Sequence, residues 1–168
     1  QVSLGDEITV GTWPYAFKGF YGYRNFIMKD RHQRVMAVAD SIWVFMDIEN
    51  NRPTKVPEDN LGYMLEPPYP MEHMDRKISI PDNLEEQPSF PVVKSNIDSY
   101  NHVNNGQYIK MAEAYLPDDF IVTKMRVEYK KQAVLGDIIY PKVSRIDNKY
   151  CIVLDSVNSK PYAIVEFS

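Results

Sequence analysis

Apolar and polar positions alternate along Glu7 to Trp13, Tyr21 to Lys29 and Arg34 to Ile48, with β-branched and aromatic residues at the apolar sites. A period of two sends successive side chains to opposite faces, so these stretches predict half-buried strands of an antiparallel meander. Asp30 to Gln33 is a short polar break of the kind that turns a hairpin, and Glu49-Asn-Asn-Arg-Pro53 ends the block. From Pro53 to Pro91 the alternation fades into prolines and acidic residues. That stretch predicts a connector lying over the surface, with one short helix after Pro57, where Pro-Glu-Asp suits a helix N-terminus.

A second block begins with a strand expected over Phe90 to Ile97. Tyr108, Ile109, Ala112 and Tyr115 or Leu116 then recur at helical spacing, which predicts a helix from Asn105 to Leu116 with Asn104 or Asn105 as N-cap and Pro117 as the stop. Strands are expected at Phe120 to Ala133, Asp137 to Ile146, Tyr150 to Val157 and Tyr162 to Phe167. One strand, one helix and four strands make an α+β pattern in which an antiparallel sheet wraps a central helix. The two blocks echo each other: Gly5-Asp-Glu-Ile-Thr-Val opens a strand in the first as Gly136-Asp-Ile-Ile-Tyr-Pro does in the second. Duplication of one unit is the economical explanation. The copies are unequal, so a strand and helix of the first copy are expected ahead of Gln1; a helix-less first domain is the alternative.

At 168 residues the chain has room for one domain or two small ones, and its 44% hydrophobic and 25% charged residues are those of a packed globular protein. No apolar run approaches the roughly 20 residues that span a bilayer, so no membrane role and, by default, a cytoplasmic location are expected. A net charge of −4 speaks against nucleic acid. Lys124, Arg126, Lys130 and Lys131 form a local basic cluster, read as a solvated strand face or as a surface for an acidic partner. The single cysteine, Cys151, has no disulfide partner and no metal-ligand companion, and reads as a small core residue.

Three histidines are present. His32 falls in a hairpin turn and His73 in the connector, both read as surface residues. His102 stands three residues before a helix, with Asp98 four residues earlier and Asn101, Asn104 and Asn105 around it. A helix N-terminus offers unpaired N–H groups and a partial positive charge, which suit a carbonyl oxygen that turns anionic under attack. His102 can move the proton, and a neighbouring carboxylate can hold its tautomer. The plainer reading, a turn and cap rich in Asn, stands beside it. Trp13, Trp43 and the methionines at 28, 36 and 46 read either as core or as lining for an acyl chain, and Glu113 as solvent-facing.

Asp98-Ser-Tyr-Asn-His-Val-Asn-Asn-Gly-Gln-Tyr108 resembles the Asp-x-Asn-x-His-Val-Asn-Asn-x-x-Tyr motif of the acyl–acyl carrier protein thioesterases of plants and bacteria. Gly5 to Trp13, Tyr23 to Asp30, Ala39 to Asp47, Arg52 to Pro57 and Val127 to Ala133 are similar to successive segments of that family, in order. The resemblance implies tandem hot-dog domains: a partial first domain at 1–52, a connector at 53–88 and a catalytic second domain at 89–168. It implies hydrolysis of a fatty acyl thioester on acyl carrier protein by a monomer or homodimer, with no metal or cofactor. Acyl-coenzyme A hydrolysis and non-catalytic acyl binding are the alternatives. Asp98 and His102 match the family's catalytic Asp and His. Its Asn falls on Tyr100, with Asn101 one place later, and its catalytic Glu falls on Gln132. Gln cannot take a proton, so His102 is expected to be the base, Asn101 or Tyr100 to orient the carbonyl, and Asn104 and Asn105 to supply the oxyanion site. The family's Cys position is Ala133.

Overall fold

The computed structural model describes residues 2–50, 52–57, 59, 62–72 and 74–168. His73 and most of the helix expected after Pro57 lie outside the described residues. The chain divides into two compact units, Gln1–Met74 and Asp75–Ser168.

In the first unit, β1 (Ile8–Lys18), β2 (Tyr21–Asp30) and β3 (Val35–Val44) form an antiparallel sheet in that order. The β2–β3 turn is built by Asp30, whose Oδ1 accepts the N–H groups of His32 and Arg34 while Oδ2 meets the Arg34 guanidinium at 2.7 Å. Gln33 takes a φ of 61°, and exposed His32 is a turn residue, as its position suggested. The strand expected to run on to Ile48 breaks at Phe45, whose N–H turns to the Phe20 carbonyl; β4 (Met46–Asp47) then pairs with β5 (Arg52–Pro53). Asn25 is fully buried, donating to the Ala39 carbonyl and to Asp40 and accepting the Tyr69 N–H. Trp13 donates to the Pro67 carbonyl, so part of the Pro-rich stretch is fastened to this sheet. Trp43 is 56% exposed, which removes it from the core. No α-helix occurs among the described residues of this unit.

The second unit holds β6 (Glu85–Glu86), β7 (Phe90–Pro91), a 3-10 turn at Lys94–Asn96, α1 (Asn105–Glu113), β8 (Met125–Tyr129), β9 (Ile138–Ile146), β10 (Lys149–Asp155) and β11 (Pro161–Phe167). Its antiparallel sheet runs β6-β9-β10-β11-β8, with β7 also on β9. Period two sorts β10: Tyr150, Ile152 and Leu154 join Tyr108 and Ala112 of α1 in the main core, while Cys151 and Val153 face the other way. Each fully buried Ile, Leu or Val there contributes roughly 1.5–3 kcal/mol.

Two expected strands come out shorter. After Pro91 the chain turns, because the Asn96 side chain accepts the Val93 N–H and the Val92 N–H goes to the Asp137 carbonyl. The Phe120 to Ala133 strand keeps only β8, because Thr123 and Lys124 bond the terminal Ser168 carbonyl and the Lys130 and Lys131 N–H groups share the Tyr162 carbonyl. The helix stops at Glu113, with Tyr115 and Leu116 in tighter turns before Pro117.

The repeated Gly-Asp is a repeated structure. Asp6 donates its N–H to the Ser3 carbonyl and accepts the Ser3 N–H on its carboxylate; Asp137 does the same with Val134. Gly5 and Gly136 have φ of 95° and 87°, the left-handed region that a Cβ disfavours. Each turn launches a long strand, β1 or β9.

The outer face of the second sheet is covered by the segment leading into β6, with Ile78 and Leu84 packed on Cys151, Val153 and Ile164. Polar ties hold this strap. The Arg126 guanidinium donates to the Asp75 and Lys77 carbonyls and meets Glu166 at 3.3 Å. Glu128 accepts the Ile78 N–H at 3.1 Å and the Lys130 ammonium at 2.9 Å, and Ser144 donates to Asn83. With Lys131 over the Tyr162 ring, Arg126, Lys130 and Lys131 of the basic cluster have internal partners, which fits a structural face. Burial raises the Glu128 carboxyl, but the bonds from Lys130 and Ile78 outweigh it and leave its pKa below the usual value. A lowered carboxyl stabilises the fold above its ordinary pKa and loses that contribution as pH falls. Unfolding free energy is therefore expected to drop between about pH 5 and pH 3 more steeply in the native protein than in Glu128→Gln. Denaturant titrations across that range check it; parallel curves would remove Glu128 from the acid response.

Candidate active site

Asp98 to His102 is a tight loop. The Asn101 N–H bonds the Asp98 carbonyl, the Asp98 N–H bonds the His102 carbonyl, and Ile97 pairs with Val103 just outside. The Asp98 carboxylate accepts the Tyr100 N–H at 2.8 Å and the His102 N–H at 3.4 Å, so it acts here on the main chain and shapes the turn. Asn101 has a φ of 62°, where Asn is among the best tolerated non-glycine residues, and this accounts for an Asn at position 101. Tyr100 is 80% exposed. His102 is half-buried, and among the described residues its ring makes no hydrogen bond.

The loop feeds into α1. Asn104 is the N-cap, its Oδ1 accepting the Gly106 N–H at 2.9 Å while its carbonyl accepts the Gln107 N–H. Asn96 ties to Gln107 at 3.2 Å, and the Asn104 N–H returns to the Asn96 carbonyl. With Gly106 and Gln107 engaged, the Asn105 N–H is the first-turn donor without a protein partner among the described residues. At this helix end the Asn105 N–H and the helix dipole can meet an oxygen that carries negative charge, beside the polar Asn104 cap.

Gln132 is exposed and follows β8. The Val103 N–H donates to the Ala133 carbonyl at 2.9 Å, so the residues immediately after His102 and Gln132 are bonded to each other. The Ala133 N–H donates to the Tyr108 hydroxyl at 2.8 Å, and the Tyr129 hydroxyl donates to the Asn105 carbonyl at 3.2 Å. Tyr108 is expected from its spacing to be an apolar residue of the helix and from the motif to be its matching Tyr, with no role assigned to its hydroxyl. A tyrosine on a buried face needs a partner for its hydroxyl, and that requirement was the available signal. Its pKa is raised chiefly by burial. Tyr162 donates to Asp137, and burial with that carboxylate pushes it up to about 12. Glu113 is exposed. Among the described residues no cluster of His, Cys, Asp and Glu is arranged to hold a metal, and no helix is long and apolar enough to cross a membrane.

An antiparallel sheet packed over one central helix, entered through a histidine-bearing loop and preceded by a second antiparallel unit, is the hot-dog class in tandem form. Known structures share this fold. An acyl-ACP thioesterase from Bacteroides thetaiotaomicron superposes with a TM-score of 0.86 at 18% identity, covering 96% of this chain and 68% of that one. The 12:0-ACP thioesterase from Umbellularia californica gives 0.82 at 15% identity, covering 98% and 68%. Residues 1–63 match the acyl-ACP thioesterase N-terminal domain and residues 81–162 the C-terminal domain. The chain belongs to the acyl-ACP thioesterase family. It is 26% identical over 144 residues to the chloroplastic palmitoyl-acyl carrier protein thioesterase of Cuphea hookeriana, covering 76% of this chain and 34% of that protein. It thus spans about a third of the length of that curated relative.

Proposed function

We propose that this chain hydrolyses fatty acyl thioesters carried on acyl carrier protein, releasing a free fatty acid and the carrier thiol. The observation that carries the reading is the bonded junction of the His102 loop, the Gln132 segment and the first turn of α1. In this mechanism the Asn105 N–H and the positive end of α1 draw electron density onto the carbonyl oxygen. Water adds to the carbonyl carbon as His102 accepts its proton, and Gln132 orients that water. The tetrahedral intermediate collapses by breaking the C–S bond, and the proton on His102 passes to the departing thiolate. Asp98 holds the loop through the Tyr100 and His102 N–H groups, and Asn101 keeps its left-handed corner. Tyr100 is free to meet the substrate from the solvent side.

Matched thioesters on acyl carrier protein and on coenzyme A test the proposal: turnover on the first is expected to exceed that on the second at equal concentration. The reverse order would reassign the chain to coenzyme A substrates. Gln132 in place of a proton-accepting carboxylate favours one further reading, an acyl-binding protein without turnover; tight retention of the acyl carrier thioester with no thiol released would establish it.

A further inference from the structure

Gln132 is exposed and makes no side-chain hydrogen bond among the described residues, yet the backbone around it is held on both sides. Before it, the Lys130 and Lys131 N–H groups converge on the Tyr162 carbonyl. After it, Ala133 is fully buried, with its N–H on the Tyr108 hydroxyl and its carbonyl on the Val103 N–H. Tyr129, three residues before Gln132, reaches the carbonyl of Asn105, the first residue of α1. The rings of Tyr108 and Tyr129 lie 6.1 Å apart at a tilt of 56°, so each supports the other.

We propose that Tyr108 and Tyr129 are positioning residues which clamp the Gln132 segment to the N-terminal turn of α1 and so set Gln132 and His102 over the Asn105 N–H. The proposal rests on the hydrolase reading above. Its physical basis is division of labour. An amide side chain can orient water only if its backbone does not drift, and the exposed Gln132 has no side-chain anchor of its own. Tyr108 supplies the buried anchor at Ala133, and Tyr129 supplies the link to the oxyanion end. Neither hydroxyl touches substrate in this scheme; both act through Gln132 and the helix turn. Loss of either hydroxyl keeps the ring packing and frees the segment, and a displacement of about 1 Å at a reacting group costs up to about a hundredfold in rate.

The test compares the native chain with Tyr108→Phe, Tyr129→Phe, Gln132→Ala and Tyr129→Phe/Gln132→Ala, using dodecanoyl-pantetheine as the thioester. Tyr129→Phe is expected to lower kcat about tenfold with KM within about twofold. In the Gln132→Ala background the same change is expected to do nothing more, because the group it positions is gone. Equal losses in both backgrounds, or no loss in the native one, would overturn the clamp. Amide exchange at Ala133 gives a readout independent of turnover: it is expected to speed up in Tyr108→Phe, and unchanged protection would overturn the anchor. If the native chain leaves dodecanoyl-pantetheine and its carrier-protein ester intact, the hydrolase reading falls, and exchange at Ala133 alone then decides whether the clamp exists.

Discussion

Replacing His102 with Ala is expected to cut thioester hydrolysis by about 10²- to 10⁴-fold, the usual worth of a positioned general base, with little change in stability. The stability half follows from the surroundings: the ring is half-buried and makes no hydrogen bond among the described residues, so its removal strands no partner. The loop keeps its shape through Asp98, whose bonds are to main-chain N–H groups that Ala also has. The activity half follows from Gln132. With an amide at that position, the imidazole is a side chain of the loop with a lone pair able to act as a general base. Initial rates on an acyl carrier protein thioester, with thermal melts alongside, check both halves. Unchanged hydrolysis in His102→Ala would end the assignment of the site.

The largest stability effect is expected at Lys142. Its ammonium meets Asp155 Oδ2 at 2.9 Å on the outer face of the sheet, and the Asp155 side chain is only 6% exposed. The other oxygen, Oδ1, is buried with no donor among the described residues, so Lys142 is the cation that makes this buried carboxylate tolerable. Lys142→Met keeps the aliphatic stem and removes that cation. Breaking a buried pair from one side costs about 3 kcal/mol, somewhat less here because Lys142 keeps contact with water. Adding Asp155→Leu is expected to recover most of the loss, since an apolar pair replaces the stranded charge. The hydrogen bond that the Lys142 ammonium donates to Asp155 holds the Lys142 pKa above its usual value. A raised lysine contributes fully below its ordinary pKa and loses the contribution as pH climbs through the raised one. Native protein is therefore expected to weaken above about pH 10.5 more steeply than the double variant. Chemical denaturation of the three proteins at neutral and alkaline pH measures this; a Lys142→Met protein as stable as the native one would show that the pair is energetically idle.

Much of this fold is legible in local pattern because its strands are runs of β-branched and aromatic residues bounded by polar turns. β9, β10 and β11 lie within a residue or two of where local pattern places them, and of the two cap candidates, Asn104 and Asn105, the first is the N-cap. Alternation says nothing about which carbonyl a strand end will choose. The strands expected at Phe90 to Ile97 and Phe120 to Ala133 were shortened by long-range bonds to Asp137, Ser168 and Tyr162, none visible in local pattern. The break at Phe45 has the same origin, a bond back to Phe20. At the candidate site, the residue types of Asp98, His102 and Gln132 were readable, and the loop's left-handed corner accounts for an Asn at position 101. The tyrosine clamp was not readable, because the partners of Tyr108 and Tyr129 lie at Ala133 and Asn105, well apart from them in sequence.

Cys151 sits on β10, buried under the strap, and burial with the nearby Glu166 carboxylate pushes its thiol up to about 11. The thiolate is the form that reacts, and a raised pKa disfavours it at pH 7. For the biochemist, the folded chain is therefore expected to react slowly with thiol-trapping dyes, and addition of a dye to native and denatured protein checks it. On that expectation, thiol released from an added thioester can be read against a low background, and a sudden rise in that background marks unfolding.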